Sequence, residues 1–597
     1  MAAPETTAKA APADRSSAIA PDTRGQNFYE ADTTLRDLLA LYLPADLLAH
    51  LAPHLESLGH DAANALDEAA FLADRHPPIL HNRDRFGRDH QRIEFHPAYR
   101  DLERLAFGRY AIHAMSHVPV LGWPTPLPAT AKHAFTFLFN QAEFGLGCPI
   151  NLTDSAAHVI RLFADDRLKA ELLPRMTTTD MSRLWQGAQF MTEKEGGSDV
   201  GRATTTARRA GDGTWRITGD KWFCSNADAD VALLLARPEG AGPGTKGLGL
   251  FVVRKILPDG TPNHYRIVRL KDKLGTRSMA SGEILLDGAV ADVIGEPERG
   301  FVQMAEMVNW SRLSNGVKSS ALMRRAYHDA RAVMTGRTVF GARLDTKPLA
   351  QRQMLKIALP GEQSLSMWLF TAGELDRAEG HAGAPSSQTA AAVLRLATPT
   401  LKLRATRDAR RVTGDALEMR GGIGYVEEFI TPRLVRDAHL GSVWEGTSNI
   451  VALDAVTRAV RRHQAHEPYA ATIRQRLADI ASHLPPTFVA TLGQYFDRAI
   501  AFMTDCARNP DDEAAYRQAV TALYHATSAI LMAWEGVRLA ETKRDARRLL
   551  WACLVLDHKL TAHDPFARGN ATRDAAIASH LLCDQPAPLA EIAPLLS

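Results

Sequence analysis

The sequence predicts an α+β protein in which helix and sheet occupy separate stretches of the chain. The observations are a long helical block, a compact run of short strands, and a return to helix up to the C-terminus. Blocks of this kind pack helices beside a sheet, because a parallel sheet would need strand and helix to alternate. With 597 residues, 45% apolar and 23% charged, the chain can bury several cores, and wholesale disorder is excluded. The expected domains are a disordered tail over 1–26, a helical domain over 27–186 and a β domain over 187–297. A four-helix bundle over 298–462 and an additional helical domain over 463–597 complete the chain.

The first 25 residues are rich in Ala, Pro, Thr and Ser and lack the apolar stretch of a secretory signal, which predicts a disordered tail. An organelle-targeting peptide is the alternative, opposed by Glu5, Asp14 and Asp22. From Thr33 Leu and Ala recur at helical spacing until Pro77-Pro78, since proline cannot continue a helix. A loop rich in charge and histidine is expected next, HNRDRFGRDHQRIEFHPAYR, before helical periodicity resumes. In the β block, ATTTARR and TWRITG flank Asp212-Gly213, a hairpin signal. DVALLLARP, GLGLFVVRKI, YRIVRL and GEILLDGAV are short, aliphatic and bounded by Gly, Pro or Asp. From Gly300, apolar and small residues at Phe301, Met304, Val308, Gly316 and Ser320 mark the buried face of a bundle helix. LGQYFDRAIAFM and AVTALYHATSAILMAWEGVRLAET add amphipathic helices near the end.

Composition and motifs narrow the chemistry. Seventy Lys and Arg against 68 Asp and Glu give a net charge of +2, so the whole chain is no polycation. Five scattered cysteines without a CxxC pair argue against disulfides or a cysteine zinc site and fit a reducing cytoplasm. No apolar run reaches the roughly 18 residues of a membrane span. Dinucleotide-binding, P-loop and HExxH patterns are absent, and no metal site is expected.

Four segments carry chemistry. FMTEKEGGSDV combines Met191, Thr192, Gly197 and Ser198, hydroxyls beside glycines that allow close backbone approach. GDKWFCSNADAD places Phe223, Cys224 and Ser225 after Trp222. GRTVFG sets Arg337 and Phe340 at a helix end. EMRGGIGYVEE, with Gly421, Gly422 and Gly424, precedes RDAHLGSVWEGTSNI. There Glu445 stands between Trp444 and Gly446, with Thr447 and Asn449 close behind. A carboxylate in an apolar setting has a raised pKa and can act as a base near neutral pH. Each segment alone could be a turn, an aromatic strand or a helix cap.

In order and spacing, these segments resemble the acyl-CoA dehydrogenase family. MTEKEGGSD looks like its flavin-contacting TEPxxGSD segment, WFCSN its WITN strand, RTVFG its RxxFG element and WEGTSNI its YEGTxxI catalytic segment. FHPAY, CPINLT, LKDKLGTRS and VWEGTSNIVALD, together with the extra C-terminal helices, resemble the AidB-type branch, flavoproteins of the adaptive response to DNA alkylation. The resemblance implies FAD held between β domain and bundle, an acyl-CoA thioester against it, and a homotetramer. It implies α-proton abstraction by Glu445 with β-hydride transfer to the flavin, giving a 2-enoyl-CoA, and Arg312 orienting the base. Met191, Thr192, Gly197 and Ser198 fall near the flavin ring on one side, and Phe223, Cys224 and Ser225 on the other. Arg337, Phe340 and the Gly421, Gly422, Gly424 turn fall on the pyrophosphate, in the family often a neighbouring subunit's, and Trp444, Gly446, Thr447 and Asn449 flank the base and cofactor. The electron acceptor is unspecified.

The branch also implies a second possibility, a flavoprotein that binds double-stranded DNA through the C-terminal domain, with weak or vestigial dehydrogenase activity. Residues 461–597 hold 15 Lys and Arg against 15 Asp and Glu, a neutral balance. One cluster stands out: Lys543, Arg544, Arg547 and Arg548, which a continuous helix would place on one side as a phosphate-contacting stripe. A solvated face compensated by Glu541 and Asp545 is the competing view.

Overall fold

A computed structural model of the chain describes residues 19–381 and 385–596. Residues 1–18 of the expected tail lie outside the described residues, and residues 19–26 correct the expectation. Ala20 is buried, its carbonyl accepts from Arg420 Nη2 at 3.5 Å, and Pro21 lies against Gly336. Low-complexity composition loses here to a buried guanidinium that needs acceptors.

The N-terminal domain begins with α1 (Phe28–Ala31), α2 (Thr33–Tyr42), α3 (Ala45–Ala63) and α4 (Ala65–Arg75). Asn27 and Asp32 cap α1 and α2 by accepting from Tyr29 N (3.0 Å) and Leu35 N (2.9 Å). The expected charged loop is instead an antiparallel hairpin, β1 (Ile79–Arg83) and β2 (Asp89–Glu94). Its stability comes from the next domain: Ile93 enters the sheet core and Gln91 Oε1 accepts from Ile267 N at 2.7 Å. Helices α5 (Pro97–Glu103), α6 (Ala129–Phe139), α7 (Gly147–Phe163) and α8 (Asp166–Met176) follow, and α6 is buried along its whole length.

The middle domain holds β3 (Gly187–Phe190), β4 (Thr206–Arg209), β5 (Trp215–Ser225), β6 (Val231–Pro238), β7 (Gly249–Arg254), β8 (Tyr265–Leu270) and β9 (Ser281–Val293). Pairings β6–β4, β4–β5, β5–β9, β9–β7 and β7–β6 close a ring, so five strands have no free edge. The interior is filled by Ile217, Cys224, Leu234, Phe251 and Leu286. Asp212-Gly213 turns β4 into β5, with Gly213 at φ 83°.

The bundle is built from α9 (Gly300–Gly336), α10 (Pro348–Glu379), α11 (Gln388–Arg420) and α12 (Ile430–Gly441), with the small hairpin β10 (Thr338–Val339) and β11 (Ala342–Arg343) after α9. A short α13 (Ser448–Leu453) leads through a π-helical turn, Asp454–Arg462, into the C-terminal helices. These are α14 (His466–Ala478), α15 (Pro486–Arg508), α16 (Tyr516–Lys543), α17 (Arg548–Val555), α18 (Ala571–Leu581) and α19 (Leu589–Ile592).

A buried ionic ladder joins three domains. Asp32 on the N-terminal side pairs with Arg324 of α9 at 3.0 Å, and Arg324 with Glu362 of α10 at 2.7 Å. Glu362 also receives Arg548 of α17, which pairs with Glu535 of α16 at 2.7 Å. Tyr42 Oη closes the ladder by donating to Glu535 at 3.0 Å.

The ladder overturns the expected basic stripe. Helix α16 stops at Lys543 because Arg544 turns left-handed, φ 55°, so the four cations are not on one helix. Arg548 is 4% exposed within the ladder, Arg547 is bound to Asp545 at 2.6 Å, and Lys543 lies 3.6 Å from Asp37. Removing one member of a buried pair strands the others, whereas an exposed pair contributes little. Arg548→Ala is therefore expected to destabilise the protein by about 3–5 kcal/mol and Lys543→Ala by less than about 1 kcal/mol. Thermal unfolding of the two variants checks the contrast.

Candidate active site

Glu445 follows α12 in the loop before α13, with its backbone in the left-handed region at φ 55° and Gly446 next at φ 87°. A non-glycine residue is held there only by its surroundings, and two cations supply the hold. Arg312 of α9 donates from Nε to the Glu445 carbonyl at 3.2 Å, and Lys402 of α11 donates to the Gly446 carbonyl. Arg312 is fixed in turn by Asp454 at 2.7 Å, and Asp454 also accepts from Arg395 at 2.7 Å. Both cations act on the main chain and leave the Glu445 carboxylate to the site.

Burial pushes the Glu445 carboxyl above the usual carboxylate range, against the pull of Lys318, Lys402 and Arg312. Trp444 stacks on Phe144 at 5.6 Å, and Lys318 sits 4.7 Å from the Trp444 ring centroid. Burial first, then repulsion by Arg312, lowers the Lys402 ammonium to about 7, with Glu445 opposing. Cys148, at the start of α7, is close to Lys318 and Glu445, and burial raises its thiol to about 11. Asp454, Lys318, Lys402 and Cys148 are the residues that sequence reasoning missed. Cys148 and Asp454 lie at the ends of the CPINLT and VWEGTSNIVALD segments but took no role from them, and no motif marks Lys318 or Lys402, whose register toward the loop is set by packing.

From the β domain, Trp222 N donates to the Thr192 carbonyl at 2.9 Å, which joins the two flavin-like segments. Phe223 is 56% exposed and Ser225 half-buried, with Ser225 against the Cys148 thiol. Cys224 corrects the expectation. A register shift between Lys221 and Cys224 interrupts the alternation of β5, so the Cys224 thiol lies in the barrel core, fully buried, and only its backbone can face a cofactor. Met191 packs against the cluster formed with α7 and α9, while Gly197 and Ser198 are exposed, and a Cβ on Gly197 would meet nothing within 4 Å. Glu193 anchors the segment. Burial alone would raise its pKa, but Lys221 at 2.6 Å holds the carboxyl below the usual range.

A second cluster forms around Arg337. Its Nη1 would lie 3.6 Å from a Cβ on Gly421, so the RTVFG and GGIGY segments meet within one chain. Gly422 is exposed, while Gly424 packs so closely on the Leu417 carbonyl that a Cβ would lie 2.3 Å from it. Phe340, φ 49°, is 97% exposed, and Tyr425 is 82% exposed. Thr447 precedes α13 as its N-cap residue, exposed and without a side-chain capping bond. Asn449 faces the C-terminal domain, where its Oδ1 accepts from Arg517 of α16 at 3.4 Å.

The barrel beside a helical bundle, with a desolvated carboxylate between them, defines an acyl-CoA dehydrogenase, and the chain belongs to that family. It matches the family's middle domain over residues 188–289 and its C-terminal domain over 298–461, and the adaptive response protein AidB N-terminal domain over 19–182, which sets it in the AidB-type branch. It is 32% identical to the putative acyl-CoA dehydrogenase AidB of Escherichia coli, covering 77% of this chain and 81% of that one. It is 33% identical to acyl-CoA dehydrogenase family member 11 of Caenorhabditis elegans, covering 72% and 70%. The crystal structure of that worm protein in complex with C11-CoA superposes with a TM-score of 0.82 at 26% identity, over 98% of this chain and 95% of that chain. The family's cofactor is FAD, and the residues present fit it: an exposed aromatic at Phe223, open glycine at Gly197 and hydroxyls at Thr192, Ser198 and Ser225.

Lys402 supplies a test of the electrostatics. Its ammonium favours ionised Glu445, so Lys402→Met raises the Glu445 pKa further. With Glu445 as the base, flavin reduction by a reactive thioester is expected to rise with pH, and in this variant the rise is expected at higher pH than in the wild type. Stopped-flow bleaching across pH reads the shift.

Proposed function

We propose that this flavoprotein oxidises an acyl-CoA thioester, with Glu445 as the base that removes the α proton. The observation that carries the reading is the Glu445 carboxyl itself, desolvated, raised in pKa and fixed on a strained loop at the meeting of barrel and bundle. A carboxylate whose pKa is raised by burial is a stronger base toward carbon than one in water. Arg312 positions the base through the Glu445 carbonyl, and Asp454 keeps Arg312 in place. Trp444 and Phe144 wall the site and limit water beside the carboxylate. FAD, when bound, supplies the acceptor for the β-hydride.

Arg337 and the Gly421 turn offer a guanidinium and open backbone suited to a pyrophosphate. The exposed Phe340 and Tyr425 beside them favour completion by a second subunit, in a homotetramer. Double-stranded DNA is a second reading, favoured by a different surface from the one expected. Arg410, Arg411 and Arg517 are exposed around Arg407, whose pKa is lowered by burial and then by repulsion from Arg517, Arg404 and Arg410. A DNA affinity that falls steeply with salt and weakens in Arg410→Ala supports this surface, and a flat salt response removes it.

The dehydrogenase reading is tested by anaerobic single-turnover bleaching with a panel of acyl-CoAs. Glu445→Gln, which keeps shape and loses the base, is expected to slow bleaching about 10²–10⁴-fold with FAD content unchanged. Equal rates in both proteins would assign the proton to another group.

A further inference from the structure

Beside the aromatic wall of Trp444 and Phe144, the surroundings of the base hold buried cations and polar groups. Lys318 of α9 is 2% exposed, and its hydrogen bond is a long one, 3.4 Å from Nζ to the Gly147 carbonyl. Among the described residues no carboxylate oxygen lies within ion-pairing distance of Lys318 or Lys402, although both feel Glu445. The ring faces of Trp444 and Phe144, 4.7 and 5.7 Å from Lys318 Nζ, offset part of the charge, and a buried ammonium without a carboxylate is still costly.

The polar character continues along α9. One turn before Lys318, Ser314 lines a small cavity with Asn140, Gly147 and Asn151, and with Asp154, whose charge Lys132 balances at 2.8 Å. Asn140 is 2% and Asn151 5% exposed, and the Oδ1 of each is buried without a partner. Asn151 Nδ2 donates to Ser311 at 2.7 Å, which holds the amide on the α9 side. Gly147 links cavity and lysine: its carbonyl accepts from Lys318, and a Cβ there would strike Asn140 Oδ1.

Charge counting gives the ligand's sign. Arg312 and Arg395 share Asp454, so Arg312, Arg395, Lys318 and Lys402 face two carboxylates, Asp454 and Glu445. Positive charge is in excess, and a ligand anion would balance it. A long hydrocarbon tail would bury the Lys318 ammonium against methylenes and lose its remaining hydration.

We propose that the acyl half of this site takes a short CoA thioester whose chain ends in a carboxylate, with Lys318 as the cation that receives it. The inference rests on the acyl-CoA reading and narrows its substrate class to dicarboxylic acyl groups. Lys318 thereby determines specificity, while Arg312 and Lys402 position the base loop. Burial lowers the Lys318 ammonium pKa, so preference for the anionic chain should weaken as pH rises and the ammonium loses its proton.

The test titrates the flavin absorbance of the anaerobic holoenzyme with glutaryl-CoA and with pentanoyl-CoA, two thioesters of equal chain length. Glutaryl-CoA is expected to bind at least tenfold more tightly to the wild type. Lys318→Met, close in length and uncharged, should abolish or invert that preference, and Lys318→Arg should restore part of it. Pentanoyl-CoA binding as tightly as glutaryl-CoA in the wild type overturns the proposal without any variant, as does a preference that survives in Lys318→Met. If pentanoyl-CoA bleaches the flavin and glutaryl-CoA does not bind, this proposal falls and the dehydrogenase reading stands. If neither thioester perturbs or bleaches the flavin, this inference falls, and the wider panel of acyl-CoAs decides the dehydrogenase reading.

Discussion

A cation buried in a helix bundle must find its counter-charge, and α9 buries several along one length. Arg312 reaches Asp454, Arg324 reaches Asp32 and Glu362, and Arg325 reaches Asp67 of α4 at 3.2 Å. Each pairing fixes a neighbouring element against α9: the turn after α13, the start of α2, helix α10 and helix α4. Stranding any of these charges would cost more than a surface pair contributes. The helix is thus the strut on which the N-terminal domain, the base loop and the C-terminal helices are registered.

The site inherits this rigidity. Glu445 occupies an unfavourable backbone region, and the hold on it passes through Arg312 to Asp454 and Arg395. The carboxylate is left to chemistry because its main-chain neighbours take the hydrogen bonds. The same economy operates in the β domain, where Lys221 and Thr205 bind Glu193 and so fix the segment that carries Thr192. The extra C-terminal helices are fastened through the Glu362, Arg548 and Glu535 links, and Arg517 brings them to Asn449 beside the base loop.

Much of the fold was legible because its periodicities are local. The aliphatic strands of the barrel and the spaced apolar residues of α9 declare themselves in any short window. Glu445 and the glycine-rich segments stood out because their residue types are poor choices for packing alone, while Arg312 came from the family resemblance. Three features escaped for the opposite reason. The β1–β2 hairpin has polar strands and is held by Ile93 and Gln91 against another domain. Residues 19–26 carry a low-complexity composition, yet Ala20 is buried and its carbonyl accepts from Arg420. The basic cluster near 543–548 was read as one helix face, but a left-handed Arg544 divides it.

The sequence by itself determined the order of domains, the family and the identity of the candidate base, since these depend on residue type and short-range spacing. Tertiary structure alone decided which charges meet. Lys318 and Lys402 lie 84 positions apart on two helices, yet both are felt by Glu445. Arg548, one of the four cations set aside for phosphate, is sealed inside a ladder spanning three domains. A cation in a sequence carries no sign of whether water or a carboxylate will surround it. Burial settles that, and burial is a property of the assembled fold.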